Sequence, residues 1–114
     1  MNVTLYHNPR CSKSRATLEL LRERGIEPDL VAYLETPPTH TELEALLAKL
    51  GVGARALART KEAAWREAGL DEDSSDADIL AAMSRHPILI ERPIVVNGDK
   101  VALGRPPEAV LHIL

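Results

Sequence analysis

Two short apolar runs flank one amphipathic stretch in the first third of the chain, and this arrangement restricts the fold more than any other feature of the sequence. "NVTLY" (Asn2 to Tyr6) alternates Val3 and Leu5 with polar neighbours and meets the turn signal Asn8-Pro9, so it reads as a strand. From Ser12 the period changes to that of a helix. Ala16, Leu18, Leu20 and Leu21 share one broad side, Arg15, Glu19, Arg22 and Glu23 take the other, and Gly25 is a natural stop. "DLVAYL" (Asp29 to Leu34) then reads as a buried strand closed by "TPP". Strand, helix and strand in this order form a βαβ unit, which implies a parallel pair.

The middle of the chain is helical. Thr39 followed by Glu42 fits a capping box, after which Leu43, Leu46, Leu47 and Leu50 recur on one face before Gly51. Ala54 to about Ala68 is helix-prone but less regular. Ser75 with Asp78 caps a further helix that carries Ile79, Leu80 and Met83 up to Pro87. Trp65 and Met83 are expected to serve packing. The end returns to strands: Pro93 to Val96, the turn "NGD" and Lys100 to Leu103 form an Asn-Gly hairpin, followed by a helix opened by Pro106-Pro107-Glu108. The order βαβ, helices, ββα predicts an α/β fold, a thioredoxin-like mixed sheet with an all-helical insert over about 39–86. Residues 1–114 are expected to make one domain, large enough to bury a core without disulfides or a structural metal.

Composition narrows the setting. The start "MNVTLY" has no basic region leading into an apolar stretch, and no run of about eighteen apolar residues occurs anywhere, so neither a signal peptide nor a membrane span is expected. A single cysteine cannot form an internal disulfide, which fits a reducing cytoplasmic compartment. The formal net charge of −3 argues against nucleic-acid binding. Around that cysteine the balance reverses: His7, Arg10, Lys13 and Arg15 surround Cys11, with no Asp or Glu from Val3 to Leu18.

Cys11 stands where a helix begins. Unpaired backbone N–H groups, the positive end of the macrodipole and the neighbouring cations there all favour a thiolate, the nucleophilic form of the side chain. The same groups favour an oxyanion beside it, such as phosphate, sulfate or arsenate. A phosphatase loop of the C-x5-R type would need arginine where Thr17 stands, and a dithiol motif would need a second cysteine where Ser14 stands. Any turnover that oxidises Cys11 must therefore recruit a thiol from outside the chain. His7, His40, His86 and His112 show no metal-ligand spacing, so no metal is expected.

Four stretches, "YHNPRCSKSR", "YLETPP", "HPILIERPIVVNG" and "GRPPEAVLHIL", resemble in order and over essentially the whole chain the glutaredoxin-linked arsenate reductases, most closely an arsenate-reductase-like branch. The resemblance implies reduction of arsenate to arsenite by Cys11 as nucleophile, with His7 assisting its ionisation. It implies that Ser14 and Arg15 belong to the anion-cradling loop and that Arg59, Arg92 and Arg105 gather the oxyanion. It also implies a cis bond at Arg92-Pro93, no bound cofactor, glutathione as external thiol, glutaredoxin as partner, and phosphate or sulfate as non-reacting analogues of arsenate.

Plainer roles exist for each residue. Arg59 stands three residues before Glu62, as in an exposed helical ion pair. Arg92 follows Glu91, Arg105 has Glu108 within reach, and His7 at a strand end could make a routine hydrogen bond. Two other functions share these features: a monothiol glutaredoxin-like deglutathionylase, suggested by the C-x-x-S spacing, and a regulatory module of the same fold that grips RNA polymerase.

Overall fold

The computed structural model of the protein describes residues 2–114; Met1, the first residue of the expected 1–114 span, lies outside the described residues. The chain divides into two compact units, one running to Thr36 and resuming at Arg92–Leu114, the other Pro37–Glu91.

In the first unit, strands β1 (Val3–Tyr6), β2 (Asp29–Val31), β3 (Ile94–Asn97) and β4 (Lys100–Leu103) form one sheet in the order β2-β1-β3-β4. β1 lies parallel to β2 and antiparallel to β3, and β3 pairs antiparallel with β4. This is the mixed, thioredoxin-like sheet that the order of elements implied. Its core is Val3 and Leu5 of β1, Val95 directly opposite Leu5, Leu21 of helix α1 (Ser12–Glu23), and Val110 of the terminal 3₁₀ helix Pro107–Ile113. Helix α1 ends in a Schellman arrangement. Gly25, at φ +76°, donates to the Arg22 carbonyl and Ile26 to the Leu21 carbonyl, both at 3.0 Å, and Ile26 packs on the core.

Three expectations for this unit need correction. Ala16 is exposed, whereas Ser14 and Thr17 are wholly buried. The inner face of α1 opens with two small polar residues because the loop before the helix is tied to one and the helix backbone to the other. The second strand stops at Val31 and is not buried. It is an edge strand with one neighbour, so Leu30 stays 47% exposed, while Tyr33 in the following turn is 1% exposed and anchors the segment. The hairpin turn is also shifted: Asn97 pairs with Lys100, so the two-residue loop is Gly98-Asp99 rather than Asn-Gly, with Gly98 supplying the positive φ of 64°.

The second unit is helical, with α2 (His40–Leu50), α3 (Ala63–Glu67) and α4 (Asp76–Arg85). The capping box of α2 forms as expected: Thr39 Oγ1 accepts from the Glu42 N–H and Glu42 Oε1 from the Thr39 N–H, each at 3.1 Å. Ser75 Oγ accepts from the Asp78 N–H at 3.2 Å to open α4. Leu43, Leu46 and Leu47 are buried from α2, Ile79, Leu80, Ala82 and Met83 from α4. Trp65 is buried too, and the Arg55 guanidinium sits 5.4 Å from its ring centre. The stretch from Ala54 to Ala68 is not one helix. A 3₁₀ turn (Ala54–Leu57) is followed by an extended segment, in which Ala58 bridges Ile90, Arg59 N–H donates to the Leu89 carbonyl and Glu91 N–H to the Leu57 carbonyl. Those pairings claim the backbone groups that a continuous helix would need.

Candidate active site

The loop between β1 and α1 is fixed from both sides. His7 N–H donates to the Val31 carbonyl at 2.9 Å, extending the parallel ladder one step past β1. A turn follows, closed by Cys11 N–H to the Asn8 carbonyl at 3.0 Å, with Pro9 at its second position and the Asn8 side-chain oxygen accepting from Arg10 N–H at 3.0 Å. The helix then reaches back. Ser14 Oγ accepts from the Asn8 N–H at 3.0 Å and is hydrogen-bonded to His7 Nδ1 at 2.7 Å, while Arg15 Nη1 donates to the Pro9 carbonyl at 2.9 Å. One residue, Ser14, thereby holds the strand end and the turn together.

Cys11 is the N-cap of α1, with extended backbone angles (φ −93°, ψ 122°), and is partly exposed. Its sulfur closes no cap hydrogen bond of ordinary geometry. The nearby amides still govern its ionisation. Burial pushes the thiol pKa up, but the backbone N–H of Ser14, then that of Lys13, and then Arg92, by charge and by hydrogen bond, outweigh it, so the net shift is downward. Arg92 is 81 residues away in sequence, and two of its guanidinium nitrogens, Nε and Nη1, are buried.

Arg92 and Arg105 come together because β3 starts where β4 ends, with Ile94 paired to Leu103. Arg105 Nη1 donates to the Arg92 carbonyl at 3.0 Å, and the Arg92-Pro93 bond is cis, as expected. Arg105-Pro106 is also cis, which the sequence reading did not anticipate. Gly104 has no room for a side chain: a Cβ there would stand 2.5 Å from Thr17 Oγ1 and 2.6 Å from Pro93 Cγ. That close approach seats the β4 end against α1 and the proline after Arg92.

Six of the expected residues, Cys11, His7, Ser14, Arg15, Arg92 and Arg105, thus belong to the first unit and are linked as described. His7 touches Ser14, and Cys11 titrates under other groups. Its own pKa is lowered by burial first, then by the charges of Arg22 and Arg15, so the ring is held neutral. Arg59 belongs to the second unit, where its guanidinium pairs with Glu62 and lies 3.9 Å from Glu91. Asn8, Arg22 and Gly104 went unassigned in the sequence reading. Asn8-Pro9 was visible only as a turn signal, and nothing local marks the other two. Among the described residues, no group of three or more His, Cys, Asp or Glu is gathered as a metal site would require, and no helix is long and apolar enough to cross a membrane.

Comparison with known proteins agrees with the fold. The ArsC family model matches residues 6–113. The chain is 49% identical to an arsenate reductase of Haemophilus influenzae across the full length of both chains. It is 50% identical to an arsenate reductase of Escherichia coli, spanning 99% of this chain and 81% of that one. The solved structure of an arsenate reductase from Vibrio cholerae superposes with a TM-score of 0.95 at 52% identity, covering 100% of this chain and 98% of that one. A family match over nearly every residue, together with relatives at half identity along the whole chain, means that this chain belongs to the ArsC family.

Proposed function

We propose that the protein reduces arsenate to arsenite, with Cys11 as nucleophile and glutathione as the second thiol. The observation that carries this reading is the Cys11 thiol, held down in pKa by the amides of Ser14 and Lys13 and by Arg92, in a chain whose half-identical relatives include proteins named arsenate reductases. The Cys11 thiolate forms an S–As bond, and one arsenate oxygen leaves as water with the protons it takes up. The glutathione thiol forms a second S–As bond, and its proton leaves with another oxygen as a second water. Both S–As bonds then break as an S–S bond forms between Cys11 and glutathione, and the remaining electron pair reduces As(V) to As(III). One water adds to give arsenite. Glutaredoxin removes the glutathione from Cys11 by thiol–disulfide exchange.

In this reading Arg92 and Arg105 neutralise the oxyanion, and the preorganised amides stabilise the charge that develops. Ser14 and Arg15 shape the loop, and His7 acts on Cys11 through Ser14. Phosphate and sulfate bind as analogues that thiols do not reduce. No bound cofactor is required, and the supply of glutathione places the protein in the cytoplasm.

The test is arsenate-dependent NADPH oxidation with glutathione, glutathione reductase and glutaredoxin supplied, comparing the protein with Cys11→Ser. Saturable turnover abolished by the substitution is expected. Rapid alkylation of Cys11 without arsenate turnover would overturn the substrate and leave deglutathionylation as the activity to assay.

A further inference from the structure

A hollow of about 520 Å³ lies in the first unit, beside the Cys11 loop. His7 and Arg10 line it from the loop, Leu30 and Ala32 from β2 and the residue after it, and Leu34 and Glu35 from the turn that follows. Its size is that of an ordinary small-molecule site. Resting on the arsenate reading, we infer that this hollow binds the second thiol: a small zwitterionic peptide, glutathione, noncovalently held beside the Cys11 loop.

Three observations support this occupant over another. The lining carries one cation, Arg10, and one carboxylate, Glu35, which complements a peptide bearing both carboxylates and an ammonium group. A doubly charged oxyanion would gain from Arg10 but be repelled by Glu35, so arsenate is a poor fit here. Beside the neutral polar Asn8 and His7, the walls include Leu30 and Leu34, 47% and 41% exposed, which a peptide backbone and methylenes can cover. The hollow also shares its wall with the turn that presents the nucleophile: Arg10 immediately precedes Cys11, and the Asn8 carbonyl accepts from the Cys11 N–H. A peptide held there has its thiol close to the loop, which raises the effective concentration of the second sulfur. His7 adds no charge to the wall because burial and the Arg22 and Arg15 charges keep its pKa low.

The experiment titrates the Cys11→Ser protein with S-methylglutathione, which cannot exchange disulfides, and follows backbone amide shifts by NMR in the absence of arsenate. Leu30, Ala32, Leu34 and Glu35 should shift on one saturation curve, and Glu35→Lys and Arg10→Glu should each weaken that curve about tenfold, the effect of losing a charged hydrogen-bond partner. Both positions are exposed, so neither substitution threatens folding. In turnover with wild-type Cys11, Glu35→Lys should raise KM for glutathione about tenfold and leave KM for arsenate unchanged. Shifts that miss the hollow, or titrations that never saturate, overturn the assignment even if arsenate is reduced. Saturating shifts at the hollow in a protein that does not reduce arsenate would uphold the site and sink only the substrate reading.

Discussion

Ser14→Ala tests the idea that one buried hydroxyl sets the geometry of the thiol loop. Ser14 is wholly buried, and its Oγ serves the Asn8 N–H at 3.0 Å and His7 Nδ1 at 2.7 Å. Each hydrogen bond contributes about 1 kcal/mol net, and stranding partly buried partners adds to the loss, giving a total of about 2–3 kcal/mol. Alanine is the better helix former and returns about 0.5 kcal/mol. The expected cost is therefore about 2 kcal/mol. For a chain of 114 residues this lowers Tm by about 8 °C.

Stability alone would not distinguish a loop-setting residue from any buried serine. The second readout is the pH dependence of Cys11 alkylation by iodoacetamide. Without Ser14 Oγ the Asn8–Cys11 turn loses one of its side-chain ties to the helix and keeps that of Arg15, the sulfur is held less firmly against the Ser14 and Lys13 amides, and the alkylation midpoint moves up. A variant that loses about 2 kcal/mol while its alkylation midpoint stays where it was would refute the coupling. Ser14 would then be structural only.

The remaining substitutions separate charge, space and protonation. Arg92→Gln should raise the alkylation midpoint of Cys11, since Arg92 lowers that pKa by charge and by hydrogen bond; an unmoved midpoint would leave the backbone amides as the whole cause. Gly104→Ala should cost about 1–3 kcal/mol by urea unfolding, because the new Cβ meets a proline ring and a Thr17 hydroxyl tied to the Lys13 carbonyl at 2.8 Å. A neutral result there would mean that α1 and the β4 end can part without loss. His7, with its folded pKa below the unfolded value of about 6.5, contributes stability that is present above pH 6.5 and lost as pH falls through its lower folded pKa. His7→Asn should flatten the fall in urea midpoint between pH 7.5 and about 5, and an equally steep fall would assign it to other groups.

What could be read from the sequence was what local chemistry decides. Thr39 and Glu42 announce their capping box, Gly25 its helix end, and Pro107 the first position of the terminal helix, because each depends on neighbours a few residues away. The exposure of Leu30 depends instead on β2 having no second strand beside it, and the break at Ala58 on a pairing with Ile90. Neither is a local property. The site divides in the same way. A thiol of lowered pKa was legible from the place of Cys11 at a helix start, where the Ser14 and Lys13 amides act on it, whereas the Arg92 guanidinium that adds to them arrives from 81 residues downstream and could be anticipated only by resemblance. Arg59 shows the converse: its spacing to Glu62 foretold an ion pair, and the structure contains it, along with the nearby Glu91 that spacing could not reveal.

Within the first unit, neutral groups both build the loop and, through the Ser14 and Lys13 amides, do most to lower the Cys11 pKa, and one distant charge adds to them. Asn8, Ser14, the Pro9 carbonyl and a His7 ring kept neutral by burial and the Arg22 and Arg15 charges fix the backbone, and Arg15 is tied into that frame. A loop assembled from ion pairs would cancel the positive potential that a thiolate and an oxyanion both need, since each carboxylate brought in to hold the loop would also repel the anion. The distant charge comes through the β3–β4 hairpin, where the Ile94–Leu103 pairing sets Arg92 and Arg105 side by side and the Arg105 side chain grips the Arg92 carbonyl. The contribution of Arg92 to the lowered Cys11 pKa therefore depends on strand register. A one-residue slip of β4 would place Gly104 opposite Ile94 and pull the Arg105 side chain off the Arg92 carbonyl, so the same register that closes the sheet also ties the two arginines together.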